Sequence, residues 1–243
     1  INISDRYANI NSPFGHWKDT GVRLEGDAVY GMLLQFIGMW NTYGDRLRVE
    51  DYPVPVKEVK GGGYCQPFAD GPSNNPSNPA KDMFLEEITG AREYVNIMTP
   101  YLIIDDTMQE ILSLTARAGV KVRIITPGIP DKKTVLLLTR RHYGPLLKAG
   151  VRIFEYTPGF VHAKLCSNES SAIIGSVNMD YRSFYLHYEN GVWIPEGEVL
   201  SEIENDFEET VQKSREITYE EWKNRPFYIK VLQEMLYFIK CQL

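Results

Sequence analysis

The chain has 243 residues, of which 43% are hydrophobic and 24% are charged, and its formal net charge is −6. This composition is typical of a globular protein with enough apolar residues to build one large domain or two small ones. The acidic balance argues against broad, sequence-independent binding of nucleic acid, which depends on a basic surface, so no nucleic-acid partner is expected.

Cysteine usage and hydropathy exclude other classes of protein. The widely spaced residues Cys65, Cys166 and Cys241 favour free thiols in a reducing compartment over a disulfide framework. Neither they nor the His, Asp and Glu residues show a paired metal-ligand spacing, so no metal and no cofactor is expected. No apolar run is long enough to cross a bilayer.

The first part of the chain is predicted to contain one amphipathic helix followed by a strand and a long loop. Apolar residues recur at helical spacing over residues 28–40, and a packed core is favoured over lipid as the partner of that face. A strand is predicted over 54–59. The Gly-, Pro-, Asn- and Ser-rich stretch over 61–79 is either a flexible linker or an entrance loop beside a site.

Helices and strands alternate from residue 78 onwards. Asn78 and Asp105 are predicted to cap helices, and Gly119 and Gly150 each follow a helix and precede an apolar strand. The strands so predicted are 94–104, 120–125 and 151–156. This order makes two successive strand–helix–strand crossovers, so we expect an α/β fold with a mixed, partly parallel β-sheet flanked by helices on both faces.

Two further helices are predicted near the C-terminus. The first runs over 198–215, with Ile203, Phe207 and Val211 on its apolar side. The tail, 227–243, has apolar residues at helical spacing but is too short and too polar to span a membrane. Docking on the protein's own core or on a partner is favoured over the lipid interface.

The segment Phe160-Val-His-Ala-Lys164, followed by Gly175-Ser-Val-Asn178, carries the residue types needed for metal-free phosphodiester chemistry. On a strand, His162 and Lys164 share one face, so one group can attack phosphorus while the other neutralises phosphoryl oxygens. Ser176 and Asn178 lie in a small-residue turn that suits close approach to phosphate. Glu189, on the next predicted strand, is either the partner that orients the imidazole or a solvated carboxylate.

His162-x-Lys164 with Gly175-Ser-Val-Asn-Met-Asp-Tyr-Arg-Ser183 resembles the second signature motif of the phospholipase D superfamily, in particular its bacterial cardiolipin synthase branch. The resemblance extends over nearly the whole chain, through His16-Trp-Lys-Asp-Thr20, Leu24-Glu-Gly26, Thr99-Pro-Tyr-Leu-Ile103 and Ile217-Thr-Tyr-Glu-Glu-Trp222. One departure is Glu169, which stands where the family usually has an aspartate. It falls in a predicted hairpin turn over 167–171, where the chain is also one residue shorter than usual.

Family members carry two such motifs that converge on one active site, whereas the complete motif occurs here once. The opening Ile1-Asn-Ile-Ser-Asp5 resembles the segment at the end of the family's first motif, with Asn2 as the terminal asparagine of that motif. Asp19 then matches the carboxylate that supports the absent first histidine. The resemblance therefore implies a fragment: the tail of the first half over 1–60, a linker or entrance loop over 61–79, and the second half with C-terminal helices over 80–243.

The resemblance implies a phosphatidyltransferase that moves a phosphatidyl group between phosphatidylglycerol molecules through a phosphohistidine. The catalytic residues would be His162, Lys164, Glu169, Ser176, Asn178 and Glu189, with Asn2 and Asp19 as a substrate-binding remnant of the first half-site. Expected partners are phosphatidylglycerol, the cytoplasmic side of the cell membrane, and the missing N-terminal half or a second copy. The alternatives are a non-catalytic half-domain that binds phosphate or lipid and, less favoured, a phospholipase or nuclease of the superfamily.

Overall fold

The computed structural model describes residues 4–54, 63–72 and 77–238. In chain order its elements are β1 (His16–Lys18), α1 (Ala28–Tyr43), β2 (Gln66–Asp70), α2 (Pro79–Gly90), β3 (Tyr94–Met98), β4 (Leu102–Ile103), α3 (Asp106–Arg117), β5 (Lys121–Pro127), α4 (Lys133–Ala149), β6 (Arg152–Tyr156), β7 (Gly159–Val161), β8 (Leu165–Asn168), β9 (Ala172–Gly175), β10 (Met179–Asp180), α5 (Tyr181–Tyr185), β11 (Glu189–Ile194), α6 (Val199–Gln212), β12 (Ser214–Ile217), α7 (Tyr219–Lys223) and α8 (Phe227–Phe238).

An eight-stranded mixed sheet lies at the centre, with the strand order β12-β6-β5-β3-β8-β9-β11-β2. Strands β3, β5 and β6 run parallel, and α3 and α4 connect them, as the two predicted crossovers require. The remaining neighbours in this sheet are antiparallel. The predicted mixed, partly parallel sheet is therefore confirmed.

Helices cover both faces of this sheet because strand side chains alternate between two apolar layers. Val95 and Ile97 of β3 belong to one layer, with residues of α2, α3 and α4. Met98 of the same strand belongs to the other layer, where α6 contributes Ile203 and Phe207. The prediction of helices on both faces is confirmed.

Short-range signals in the sequence set the helix ends. The Asn78 side chain accepts a hydrogen bond from the Lys81 N–H at 3.2 Å, and Asp105 accepts one from the Met108 N–H at 2.9 Å. Each satisfies a backbone donor that the first helical turn leaves without a partner. Gly119 and Gly150 both have φ of +100°, the left-handed conformation in which glycine ends a helix.

Two predicted elements are wrong in part. The strand over 94–104 is divided into β3 and β4, because Pro100 has no N–H to continue the ladder. The linker or entrance loop over 61–79 contains a strand: β2 pairs with β11 at the edge of the sheet. The strand predicted over 54–59 lies, except for Val54, outside the described residues.

Helix α1 is present as predicted, but most of its apolar side chains are not buried in a core. Ile37 is buried, whereas Leu34, Phe36 and Trp40 are about half exposed. The helix packs on the edge strand β2, where Gly31 lies against Pro67. A single short strand covers too little of the helix surface to bury the remaining apolar side chains.

The C-terminal helices pack on α4. The indole N–H of Trp222 in α7 donates to the Arg140 carbonyl at 2.7 Å, and the Trp222 ring lies over Gly144. In α8, the buried Gln233 amide donates to the Leu137 carbonyl at 3.0 Å. Among the described residues, no helix combines the length and apolarity needed to cross a bilayer.

The contact between Gly144 and Trp222 predicts that Gly144→Ala destabilises the protein. A Cβ at this position would lie 2.1 Å from the indole ring, so α7 must shift. We expect a loss of about 1–3 kcal/mol in unfolding free energy, measured by urea denaturation.

Gly38→Ala is the matched control, since Gly38 is inside α1 and nothing lies within 4 Å of its added Cβ. Better helix propensity should stabilise that variant by about 0.5–1 kcal/mol. Equal stabilisation of both variants would contradict the packing of α7 on α4.

Candidate active site

A short parallel pairing between β1 and β7 builds the site. Lys18 lies opposite Val161, and the His162 N–H continues the ladder by donating to the Lys18 carbonyl at 2.7 Å. The residues that follow the two strands are therefore brought side by side. Asp19 and His162 meet across this junction although 143 positions separate them in sequence.

The Asp19 carboxylate orients the His162 imidazole. Its Oδ2 lies 2.8 Å from His162 Nδ1. Burial favours the neutral acid, but the hydrogen bond and charge of His162 together hold the pKa of Asp19 below its ordinary value. An ionised carboxylate can only accept, so Nδ1 carries the proton, and in the neutral ring Nε2 keeps the lone pair. This tautomer is the one a nucleophile or proton carrier requires.

Lys164 lies beside the imidazole, as the His-x-Lys spacing predicts. Its Nζ donates to the His162 carbonyl and lies 2.9 Å from His162 Nδ1, which donates to Asp19 and so does not accept from the ammonium. Burial lowers the pKa of Lys164 to about 8, although the charges of Asp19, Glu189 and Asp180 act in the opposite direction. His162 and Lys164 lie between β7 and β8, so the prediction of a strand is wrong here. Their side chains still lie on the same side of the chain, in contact with each other.

Three aromatic rings surround the imidazole. Its ring centre lies 4.9 Å from that of Trp17, 5.5 Å from Tyr7 and 6.1 Å from Phe160. These rings limit access of water to His162, whose side chain is 19% exposed. Sequence reasoning missed Trp17 and Tyr7, because an aromatic residue far from the motif carries no signal of its position.

Asn9 holds Trp17 in place. The Asn9 side-chain amide donates to the Trp17 carbonyl at 3.0 Å, and its oxygen accepts the Trp17 N–H at 2.6 Å. Asn9 has φ of +57°, a left-handed conformation that asparagine tolerates better than most residues. These two hydrogen bonds satisfy the Trp17 backbone on the side of β1 that faces away from β7.

Glu189 does not orient His162, contrary to one prediction. The buried Glu189 carboxylate contacts the Ser176 hydroxyl, accepts from the Ser183 hydroxyl at 2.9 Å, and lies 3.4 Å from His187 Nδ1. Burial raises its pKa, against the effect of the two hydroxyl groups. Asp19 takes the position at His162, and the prediction that it supports an absent first histidine stays a prediction.

Asn178 and His187 line a cavity of about 190 Å³ next to these groups. Lys132 and Arg182 bring cationic side chains to it, and Asp180 brings a carboxylate whose pKa burial raises. With two cations and one carboxylate among its lining residues, the cavity suits an anionic ligand. His187 is a residue that sequence reasoning missed, although it lies two positions before Glu189.

Glu169 is placed in the β8–β9 hairpin, away from these contacts. Its carboxylate accepts the N–H groups of Arg92 and Glu93 at 2.7 and 3.2 Å, at the start of β3. Burial tends to raise its pKa, but these bonds hold it below the ordinary value. The contacts give Glu169 a structural position rather than a catalytic one. Asn2 lies outside the described residues.

His16 and Lys18 have the same His-x-Lys spacing as the motif, but the structure gives them other partners. His16 Nδ1 lies 2.9 Å from the Tyr156 hydroxyl, and Lys18 forms an ion pair with Asp206 at 2.7 Å. They do not converge on a small-residue turn. Within the described residues, no group of three or more His, Cys, Asp or Glu side chains could hold a metal ion.

Comparisons with known proteins identify the family of this chain. The family described as "Cardiolipin synthase, PLD-like domain" matches residues 84–211. An uncharacterized protein of Streptococcus mutans is 41% identical over 220 residues, which cover 90% of this chain and 48% of that protein. Cardiolipin synthase 2 of Bacillus cereus is 35% identical, over 96% of this chain and 46% of the relative. The chain thus spans about half the length of the curated relatives it matches.

Solved structures show the same fold. Phosphatidylserine synthase of Haemophilus influenzae aligns with a TM-score of 0.63 at 15% identity, over 88% of this chain and 62% of its own. Nuc of Salmonella typhimurium, a phospholipase D family member, aligns with a TM-score of 0.55 at 16% identity, over 65% of this chain and 99% of its own. Taken with the family match, the chain belongs to the phospholipase D superfamily, in the cardiolipin synthase family of phospholipase D-like domains.

Proposed function

We propose that the chain supplies the His162 half-site of a phosphatidyltransferase of the cardiolipin synthase type. The observation that carries the proposal is the joint contact of His162 Nδ1 with Asp19 at 2.8 Å and Lys164 at 2.9 Å, in a chain of this family. The carboxylate selects the ring tautomer, and the ammonium beside the ring supplies a positive charge that attracts an anionic phosphoryl group. Relatives named cardiolipin synthase support the assignment of phosphatidylglycerol as substrate.

The proposed reaction has two displacements at phosphorus. His162 Nε2 forms a bond to phosphorus as the bond to the glycerol oxygen breaks, and a second acid–base group protonates the departing oxygen. The hydroxyl of another phosphatidylglycerol then gives its proton to that group and attacks phosphorus, and the bond to Nε2 breaks. Asp19 stabilises the positive charge that the imidazole acquires in the first step. Lys164, Ser176 and Asn178 hold the phosphoryl oxygens.

The second acid–base group is proposed to be a histidine of an N-terminal half or of a second copy of the chain. Curated relatives are about twice as long as the segment that they share with this chain, which leaves room for a second motif in them. The proposed site of action is the cytoplasmic surface of the cell membrane, where the lipid substrate lies.

A second candidate is a half-domain that binds phosphate or lipid without turnover. It is supported by the Glu189 contacts: this carboxylate is bonded to Ser176, Ser183 and His187 rather than to His162. The two candidates differ in whether glycerol is released, since binding alone breaks no bond to phosphorus.

His162→Ala should abolish transfer, because it removes the atom that bonds to phosphorus. With phosphatidylglycerol vesicles, we expect cardiolipin formation and glycerol release to fall by about 10⁴-fold or more. His16→Ala is the control, since His16 bonds to Tyr156 and should leave transfer unchanged. Undiminished release by the His162 variant would refute the assignment. Phosphate binding without glycerol release would favour the half-domain if it persists when an N-terminal half from a relative is added.

The lowered pKa of Lys164 predicts a loss of activity at mildly alkaline pH. The ammonium is charged below a pKa of about 8 and loses its proton above it, so transfer should decline through this range rather than near the ordinary lysine value. The measurement is the pH profile of transfer at saturating lipid.

Lys164→Arg is the control, because a guanidinium keeps its charge at these pH values. Whatever its absolute rate, this variant should lose the alkaline decline. A decline of the same shape in the arginine variant would assign it to another group.

A further inference from the structure

Helix α8 carries an apolar face that points away from the protein. Phe227, Val231, Met235 and Phe238 are spaced four, four and three residues apart, which places them on one side of a helix. Their exposed fractions are 80%, 43%, 64% and 88%. Together with Tyr228 and Leu232 they form what we call the outer face of α8.

The opposite side of α8 is attached to the body of the protein. Gln233 accepts from Arg225 Nε at 2.6 Å and donates to the Leu137 carbonyl at 3.0 Å. Glu234 lies beside the outer face, seven residues after Phe227 and four before Phe238, and it accepts from two nitrogens of the Arg141 guanidinium at 3.2 Å each. These polar contacts fix the rotation of the helix, so its outer face cannot turn into the core.

The end of α8 lies next to the cavity of the candidate site. Leu236 and Tyr237 pack against an apolar cluster that contains Tyr101, Ile103 and Val135. The same three residues line the cavity, together with Asn178 and His187. A flat surface in contact with the outer face of α8 would therefore lie about one helix diameter, roughly 10 Å, from this cavity.

Basic side chains distinguish α8 from the other exposed apolar helix. Helix α8 contains Lys230 and one acidic residue, Glu234, whose charge is paired with that of Arg141. Lys132 and Lys133 are exposed where α4 begins, and Lys132 also lines the cavity. Helix α1 also exposes large apolar side chains, but it contains no charged residue. An apolar face flanked by lysines is typical of helices that lie in the interface of anionic bilayers.

We propose that the outer face of α8 binds the surface of an anionic phospholipid bilayer and presents the cavity to lipid headgroups. The inference rests on the proposed function for the orientation of the cavity, but the binding step is independent of turnover. Apolar side chains enter the acyl boundary while Lys230, Lys132 and Lys133 face the phosphates. The helix thereby determines from which side the lipid reaches His162.

The test is flotation of the chain with vesicles of phosphatidylglycerol and phosphatidylcholine in equal parts. The α8 variant is Phe227→Ser with Met235→Ser, and the matched control is Leu34→Ser with Trp40→Ser on the exposed side of α1. We expect the α8 variant to bind at least about tenfold more weakly than the unmodified chain, since two large apolar side chains no longer enter the bilayer. The α1 variant should bind like the unmodified chain.

Three outcomes would overturn the proposal: no vesicle binding by the unmodified chain, an equal loss in both variants, or the α8 change dissolving a dimer that does not bind vesicles. The last result would assign the face to a second copy. The inactive His162→Ala chain should bind vesicles as tightly as the unmodified chain. Turnover that the His162→Ala change leaves undiminished would refute the proposed function alone, whereas turnover and binding without any effect of the α8 variant would refute this inference alone.

Discussion

The site depends on the parallel pairing of β1 with β7. Three residues of each strand pair, with His16 opposite Gly159. This register brings the Asp19 carboxylate to the His162 imidazole. Gly159 is required for this approach, because a Cβ there would lie 2.3–2.4 Å from the backbone of His16. A shift of one residue would move Asp19 away from the ring and leave the imidazole without its orienting partner.

The electrostatic balance of the site follows from burial. Lys164 is 8% exposed, and its tendency to lose its proton is opposed by the charges of Asp19, Glu189 and Asp180. A buried cation attracts a phosphate more strongly than an exposed lysine would, because little water screens its charge. The aromatic rings around His162 reinforce this effect by keeping the ring nitrogen from bulk solvent.

Local features of the fold can be predicted from sequence because their causes are local. The caps at Asn78 and Asp105 depend on residues three positions apart, and the alternation of helices and strands predicts the crossovers. The His-x-Lys spacing likewise predicts that His162 and Lys164 share a face. The predicted partner of His162 is wrong, because a contact across 143 positions is decided by strand pairing rather than by spacing. The catalytic role expected of Glu169 follows only from its place in the family's motif. In the structure, backbone N–H groups just before β3 bind its carboxylate.

The Asn9 amide determines what the free edge of strand β1 offers to another chain. Strand β1 pairs with β7 on one side only, and its other side would expose the N–H and carbonyl of Trp17 as a template for a foreign strand. The Asn9 side chain satisfies both groups, as one residue of a third strand would. A single amide therefore leaves no backbone group of Trp17 available to a foreign strand, without an added strand beside the histidine.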